Sequence, residues 1–462
     1  MPPHDPDRAA LWSTLISGRA DALIAQAAAV VVGDHGPTPS SIARLRAIEP
    51  DAGLVACALE LAQARAKLAA KWGPIAPHMF SDKPGAEMAS SILTGSYKAA
   101  RFAELGLPAG SLILDACCGA GADSLALAGR GFHVRSVDTS PARVAMTRAN
   151  AAALGAYARH NGSPDPALSI DCRCVDALDA SQLDGINAMH IDPSQRTVAG
   201  AASHSRRMFG LDELVPPISA IMEGWTRHVA AHADTPAPLI AAIKLGPGAN
   251  LEAVADQLHP AHIDVISQRG HLKEAVAWLV AGHGTPKPKR AAVLLNDEPA
   301  GFTPADALRV LRYGPGHIIT LRCESAIPPL PTVGPLGKHL YEPDDAIERA
   351  GLLGELCRMI ACHMPHPQCG LLTSTADERQ ASPWLTAFEV LAEHPWSSRH
   401  ITAQLAAVNA GQVEVKTRGN VVDADALTRQ LRGSGPHRIT LFVVRFGDAG
   451  LRAIIARRLL SS

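Results

Sequence analysis

The chain has 462 residues, with 43 Lys and Arg against 44 Asp and Glu and a formal net charge of −1. That length exceeds one ordinary core, so two or three domains are expected. A 47% hydrophobic and 19% charged composition excludes a disordered chain, and the near-neutral balance excludes a global electrostatic pull toward nucleic acid, leaving room only for a local patch.

Residues 1–95 read as a helical prefix. Leu11, Leu15, Leu23, Ile24 and Val30 recur at helical intervals. Ser40 and Ser41 are positioned to cap a helix that Glu49-Pro50 breaks. Asp51 opens a longer pattern through Leu54, Leu59, Leu61 and Leu68 that stops near Trp72-Gly-Pro. A packing or oligomerisation role suits this prefix better than a grip on substrate. Residues 75–101 form a connector, with a helix containing Met88, Ile92 and Leu93 that runs on to Phe102. That connector lies close enough to the first strand to fold over its ligand; a plain linker helix fits equally well.

From Leu112 strands alternate with helices. Strands are expected at Leu112–Ala116, His133–Asp138, Ile170–Val175, Ile186–Ile191 and Leu239–Leu245. Ala122–Arg130 is the first helix between them, and Ser140-Pro141 caps the second. Ile263–Gln268 and Ala275–Val280 form a hairpin around Arg269-Gly270, and Ala291–Leu295 resumes a strand. The class is α/β, a doubly wound and mostly parallel sheet with its ligand at the strands' carboxyl ends. Residues 324–337, rich in Pro and Gly, mark a boundary. Beyond it, helices are expected at Asp344–Met359, Trp384–Leu391, Asp423–Leu431 and Leu451–Leu460, and strands at Gln412–Lys416 and Arg438–Phe446. The expected division is 1–95, 96–336 and 337–462.

The chemistry sits at Asp115-Ala-Cys-Cys-Gly-Ala-Gly-Ala-Asp123. A strand, a Gly-x-Gly loop and an acid ending the next strand serve both dinucleotide enzymes and S-adenosylmethionine (SAM) enzymes. A pyrophosphate would meet Asp115 before the loop and Asp123 at the helix start, and both repel it. The third glycine of the dinucleotide fingerprint is replaced by Ser124, and no P-loop lysine is present. SAM carries a sulfonium and an ammonium, which carboxylates favour. The cosubstrate is therefore expected to be SAM. Gly119 and Gly121 let the backbone approach it, with Cys117 in the same loop. Asp115 and Asp123 suit its amino end and the loop's hydrogen bonds, Asp138 its ribose hydroxyls, and Asp176-Ala177 its adenine.

Asp192-Pro193 closes the fourth strand, where enzymes that methylate planar amines place an acid or amide before proline. The acid and a carbonyl hold the amine in line with the methyl group, and alignment supplies most of the rate. Ser194 stands in place of a second proline and Gln195 in place of an aromatic. Cys117 and Cys118 read as small loop-packing residues, because a pyrimidine-carbon methyltransferase would need its cysteine near the fourth strand's tip. Lys244-Leu-Gly-Pro-Gly and Lys273-Glu274 are candidate substrate-side groups, with turn and salt-bridge readings open. Cys357, Cys362, His363, His366 and Cys369 match no ordinary zinc spacing, so no metal is expected. From Gly411 onward nine Lys and Arg face four acids, which fits phosphate contacts with RNA as well as a solvated face.

The nine cysteines are scattered and odd in number, as in a chain with reduced thiols. No charged-then-apolar leader opens the sequence, and Ala22 to Val32, the longest apolar stretch, is too short for a bilayer. A soluble, cytoplasmic protein without a membrane partner is expected.

Together Tyr97-Lys-Ala-Ala-Arg-Phe102, Asp115 to Asp123, Ile191-Asp-Pro193, Lys244-Leu-Gly-Pro-Gly, His271-Leu-Lys-Glu274, Leu340-Tyr-Glu-Pro-Asp344 and Val413-Glu-Val-Lys-Thr-Arg-Gly419 carry a resemblance. From about residue 75 the chain resembles bacterial class I SAM-dependent methyltransferases with a C-terminal THUMP-like domain. More distantly it is similar to trimethylguanosine synthase, an RNA guanine-N2 methyltransferase. The resemblance implies a Rossmann-like methyltransferase sheet, SAM binding, methyl transfer and an RNA substrate, with Asp192 and Pro193 at the acceptor. Two other readings stay open: a protein or small-molecule methyltransferase, and an inactive RNA-binding protein on a methyltransferase fold.

Overall fold

A computed structural model describes residues 6–33, 37–162, 168–194, 211–233, 235–285, 287–325, 328–367, 369–419, 421–447 and 450–459. Gln195 lies outside these residues.

The prefix is helical: α1 (Pro6–Ile16), α2 (Asp21–Gly33), α3 (Pro39–Ile48), α4 (Ala52–Trp72), α5 (Lys83–Met88) and α6 (Ile92–Glu104). Asp51 caps α4 by accepting from the Gly53 and Leu54 amides, and α4 stops at Gly73, whose φ is +52°. Thr38, rather than Ser40 or Ser41, caps α3, and Ser41 closes a capping box with it. The prefix has no separate core. Trp12, Leu15 and Leu61 belong to one apolar cluster with Ala120 of the glycine loop and Ala142 and Met146 of the helix after the second strand.

The alternating region runs β1 (Leu112–Ala116), α7 (Ala122–Gly129), β2 (His133–Asp138), α8 (Pro141–His160), β3 (Ile170–Cys174), β4 (Ala188–Ile191), α9 (Ile218–Ala231), β5 (Ile240–Leu245) and α10 (Leu251–Leu258). It continues through β6 (His262–Gln268), β7 (His271–Val280), β8 (Lys289–Leu295), α11 (Pro304–Tyr313) and β9 (Ile318–Cys323). The sheet order is β3-β2-β1-β4-β5-β7-β6-β8-β9. Strands β1 to β5 pair in parallel, and β7 returns antiparallel to β5. The order reverses beside β1, which opens a crevice at the carboxyl ends of β1, β2 and β4. Ser140 and Pro141 start α8 as expected, with Ser140 accepting from the Arg143 amide.

The last region holds β10 (His339–Pro343), α12 (Asp345–Arg349), α13 (Leu353–Ile360), β11 (Leu372–Ser374), β12 (Leu385–Pro395), α14 (Ile401–Ala407), β13 (Ala410–Thr417), α15 (Ala424–Gln430), β14 (His437–Arg445) and β15 (Leu451–Arg458). Six strands form a sheet in the order β11-β10-β12-β15-β14-β13. Three expectations are corrected here. Trp384–Leu391 and Leu451–Leu460 are not helices but supply β12 and β15. Their Ala, Leu and Arg content favours helix locally, yet β15 is a central strand paired on both sides, and Ala453 to Ala456 are fully buried. Asp344–Met359 is two helices, because the chain turns at Gly351 with φ +73°.

Close contacts divide the chain into two units, residues 1–263 with 273–288 and 295–318, and residues 264–272 with 289–294 and 319–462. The second has an apolar core of its own, including Leu405, Val413, Leu441 and Ile455. All nine cysteines are free thiols. Among the described residues no single helix is long and apolar enough to cross a membrane.

Candidate active site

A cavity of about 790 Å³ opens at the carboxyl ends of β1, β2 and β4 in the first unit. That is within the range of small-molecule sites. It is lined by Asp115, Cys117, Gly119, Asp123, Asp138, Asp176, Ala177, Asp192 and Pro193, so every expected site residue except Gly121 reaches its wall. Gly121 is the N-cap of α7, in the left-handed conformation with φ +84°.

The loop takes its shape from its own hydrogen bonds. Cys117 and Gly119 both have positive φ, at +63° and +57°. The Cys118 amide donates to the Val137 carbonyl at 3.0 Å, and the Gly119 amide donates to Asp138 Oδ2 at 3.0 Å. The other oxygen of Asp138 accepts from the Ser140 amide at 2.8 Å. Asp138 thus joins the loop to the cap of α8. Burial, then Asp138 and Asp192, pushes the Cys117 thiol well above its ordinary value. A thiol held protonated is a poor nucleophile, which agrees with a packing role.

The two acids that flank the loop are not bare. Asp115 is 1% exposed, accepts a short hydrogen bond from Ser124 Oγ, and lies 2.7 Å from His190 Nδ1. Asp123 is paired with Lys98, Nζ to Oδ1 2.8 Å, and accepts from Ser90 Oγ at 2.8 Å. Lys98 also reaches Glu274 at 2.9 Å and Ser90 Oγ at 2.9 Å. Burial would lower the Lys98 ammonium, but Asp123 and Glu274 outweigh it and hold it protonated. Burial would raise Asp123, but Lys98, then His190 and Lys244, hold it well below the usual carboxylate range. The charge of Asp123 is thus already met by Lys98. The cavity remains acidic as a whole, since seven of its lining residues are Asp or Glu and three are Arg or Lys.

Asp192 ends the fourth strand with its amide donating to the Ala116 carbonyl at 3.3 Å. Its Oδ2 accepts from Lys244 Nζ at 2.7 Å. Burial opposes the charge on Lys244, but Asp192, Glu274 and Asp123 raise its pKa and keep it an ammonium. Lys244 and Glu274 thus belong to the site, and their salt-bridge reading is correct. His190 and Ser90 carried no signal in the sequence. Asp176 accepts from the Leu178 amide at 2.9 Å, which fixes the turn after β3.

The family model described as THUMP domain-like matches residues 385–458, from β12 to β15. Two strains of Mycobacterium tuberculosis have an uncharacterized S-adenosylmethionine-dependent methyltransferase 27% identical to this chain over 400 residues, covering 85% of this chain and 93% of the relative. A crystal structure from Porphyromonas gingivalis W83, described as a methyltransferase, superposes with a TM-score of 0.64 at 18% identity, covering 95% of this chain and 99% of that one.

The fold is the Rossmann-like methyltransferase fold. The glycine loop, the acid at the tip of β2 and the Asp-Pro at the tip of β4 all stand at its ligand crevice. Residues 385–458 form a THUMP-like domain. Its basic excess is partly paired within the second unit. Lys416 pairs with Glu342 at 2.5 Å, Arg418 with Glu348 at 3.2 Å, Arg452 with Glu393 at 2.9 Å and Arg457 with Glu389 at 3.7 Å. Arg429, Arg432, Arg438, Arg445 and Arg458 are exposed.

Proposed function

We propose that this chain methylates an exocyclic base amine of RNA, of the guanine-N2 kind. It is an S-adenosyl-L-methionine-dependent methyltransferase, and SAM is its cosubstrate. The Mycobacterium tuberculosis relatives carry that activity in their names. The cavity fits SAM on its own terms. Its charged lining has more carboxylates than cations, which suits a cation, and a Cβ added at Gly119 would meet nothing within 4 Å, so the loop leaves open space there.

SAM supplies an electrophilic methyl group on its sulfonium. Around it, Asp138 would accept from the ribose hydroxyls and Asp176-Ala177 would face the adenine. Asp115, Cys117, Gly119, Gly121 and Asp123 shape the methionine side of the site. At the acceptor, Asp192 and the Pro193 carbonyl hold the amine hydrogens so that the nitrogen lone pair points along the reacting axis. Such alignment is worth on the order of 7–11 kcal/mol. Lys244 fixes the Asp192 carboxylate through one oxygen and leaves the other to the acceptor. RNA as the substrate is supported by the THUMP-like match and by the exposed arginines of the C-terminal unit.

The observation that carries this reading is Asp192-Pro193 on the wall of an acidic, glycine-looped cavity. The test is mass spectrometry of nucleosides from the RNA of a deletion strain. Loss of an N2-methylguanosine-type species is expected. An unchanged nucleoside profile would count against RNA and turn attention to protein or small-molecule acceptors.

A further inference from the structure

Residues 86–90 are the last turn of α5 and the start of the link to α6, and their backbone has an unusual set of partners. Lys71 Nζ, from α4, donates to the carbonyls of Ala86 at 3.0 Å, Glu87 at 2.8 Å and Ala89 at 2.7 Å. Lys244 Nζ, from β5, donates to the Met88 carbonyl at 3.1 Å. Trp72 Nε1 donates to the Ser90 carbonyl at 3.0 Å. Five consecutive carbonyls therefore accept from side chains of other elements. Glu87, Met88, Ala89 and Ser90 all line the cavity, although Lys71 does not.

The last carbonyls of α5 lack helical partners, and a cation at a helix C-terminus is favourable. That accounts for cations at the Ala86, Glu87 and Met88 carbonyls. It does not explain why the same ammonium reaches on to Ala89, beyond the helix, or why a second lysine takes the carbonyl between. The second lysine is also the partner of Asp192. One ammonium thus ties the segment to the acceptor acid, while Lys71 and Trp72 tie it to α4.

We propose that residues 85–90 are a strap across the methionine end of the SAM site, and that Lys71 is the positioning residue that holds it in its binding shape. This rests on the reading of the cavity as a SAM site. Asp138 and Asp176 take the adenosine end, so the wall formed by the strap, Asp192 and Glu274 faces the other. Lys71 touches no ligand; it prepays the ordering of a backbone segment that does. The helical prefix thereby acquires a role in cofactor affinity.

The charge on Lys71 gives the strap a pH response. Burial lowers its pKa to about 8, assisted by Lys244, Lys273 and Lys67 and opposed by Glu274. Glu87, the remaining charged neighbour on the strap, is paired with Lys67 at 2.5 Å. Above that pH the amine keeps two hydrogens, so one of three carbonyls loses its donor. Affinity for SAM should fall as pH rises through about 8. Stability should move the other way. The folded chain holds this proton more weakly than the unfolded chain, so the contribution of Lys71 to stability rises from pH about 8 to the ordinary value of 10.5.

The test uses the full-length chain, with SAM binding followed by calorimetry and amide hydrogen exchange followed over residues 83–91. In wild type, SAM is expected to slow exchange across 85–90. Lys71→Met should raise the Kd for SAM about tenfold or more, with kcat at saturating SAM changed less than about threefold. Its affinity should depend less on pH near 8 than that of wild type, the remainder being the titration of SAM's own α-amino group, and Lys71→Arg should recover part of the affinity. SAM binding that leaves exchange at 85–90 unchanged would overturn the strap, and that experiment needs no variant. Wild-type affinity in a folded Lys71→Met protein would overturn the role of Lys71 alone. A wild-type chain that binds no SAM would sink the cofactor reading and the strap's role with it.

Discussion

Lys98 is 1% exposed and lies between the carboxylates of Asp123 and Glu274, both within 3 Å. Its ammonium is what makes those two buried charges tolerable. Lys98→Met would leave them unpaired, and breaking a buried ion pair from one side costs about 3–5 kcal/mol. The pH dependence has a definite sign. Asp123 in wild type has a depressed pKa, so its contribution to stability is present above the ordinary value of 3.8 and is lost as pH falls. In the variant the unpaired acids take up protons more readily, so acidification relieves it. Urea unfolding of the two proteins should therefore show a large gap at pH 7 that narrows toward pH 4. A gap that stays constant would mean that lost packing, not charge, sets the cost. Asp192 is a different kind of residue, because its effect belongs to turnover. Asp192→Ala should lower kcat about 10²-fold or more, with SAM affinity changed less than about threefold. A labelled-SAM assay on RNA measures both, and an Asp192→Ala protein with normal kcat would remove Asp192 from the acceptor site.

The loop between β1 and α7 shows what an element asks of its glycines. Gly121 has φ +84°, and a Cβ there would sit 2.6 Å from Thr147 Cγ2. The left-handed conformation costs an L-residue roughly 1–2 kcal/mol and overpacking about 1–3. Gly121→Ala should therefore destabilise the fold by about 2–4 kcal/mol, read as a fall in Tm. Gly119, with φ +57°, has open space instead. Gly119→Ala should cost only the conformational part, roughly 1–2 kcal/mol, yet weaken SAM binding because its methyl stands on the cavity wall. If both variants lose stability equally and Gly119→Ala binds SAM normally, Gly119 has no part in the site. These glycines were legible because a Gly-x-Gly between a strand and a helix is a local pattern, and the first eight strands of the first sheet were legible for the same reason, whereas β9 was not expected. The partners of the acids were not. His190 meets Asp115 from 75 positions away, and Lys98 meets Asp123 and Glu274 from other elements, so no local pattern records a pairing set by the fold. The same cause hid β12 and β15. Their sequences suit helices, and only pairing with strands far along the chain makes them strands.

At the scale of the whole molecule, one chain joins a methyltransferase fold to a THUMP-like domain, and the second must account for RNA binding if RNA is the acceptor. The chain carries a net charge of −1, so long-range attraction cannot hold a polyanion. Local cations must do so, and the ion pairs within the C-terminal unit narrow the choice. Lys416, Arg418, Arg452 and Arg457 each have an acidic partner and are poor candidates. Arg438 and Arg458 are exposed and stand two residues beyond the paired Thr440 and Ala456, so alternation puts both on one face of adjacent strands. The double variant Arg438→Glu with Arg458→Glu should weaken RNA binding. It should also reduce the slope of log K against log salt by roughly 1–2, as expected for the loss of two phosphate contacts. SAM affinity should be unchanged, because every residue on the cavity wall belongs to the first unit. Filter binding at several salt concentrations reads the slope, and calorimetry with SAM reads the control. A lower affinity with an unchanged slope would mean that the two arginines do not meet phosphates. An unchanged affinity would place the RNA contacts on Arg429, Arg432 and Arg445, or remove RNA from the function.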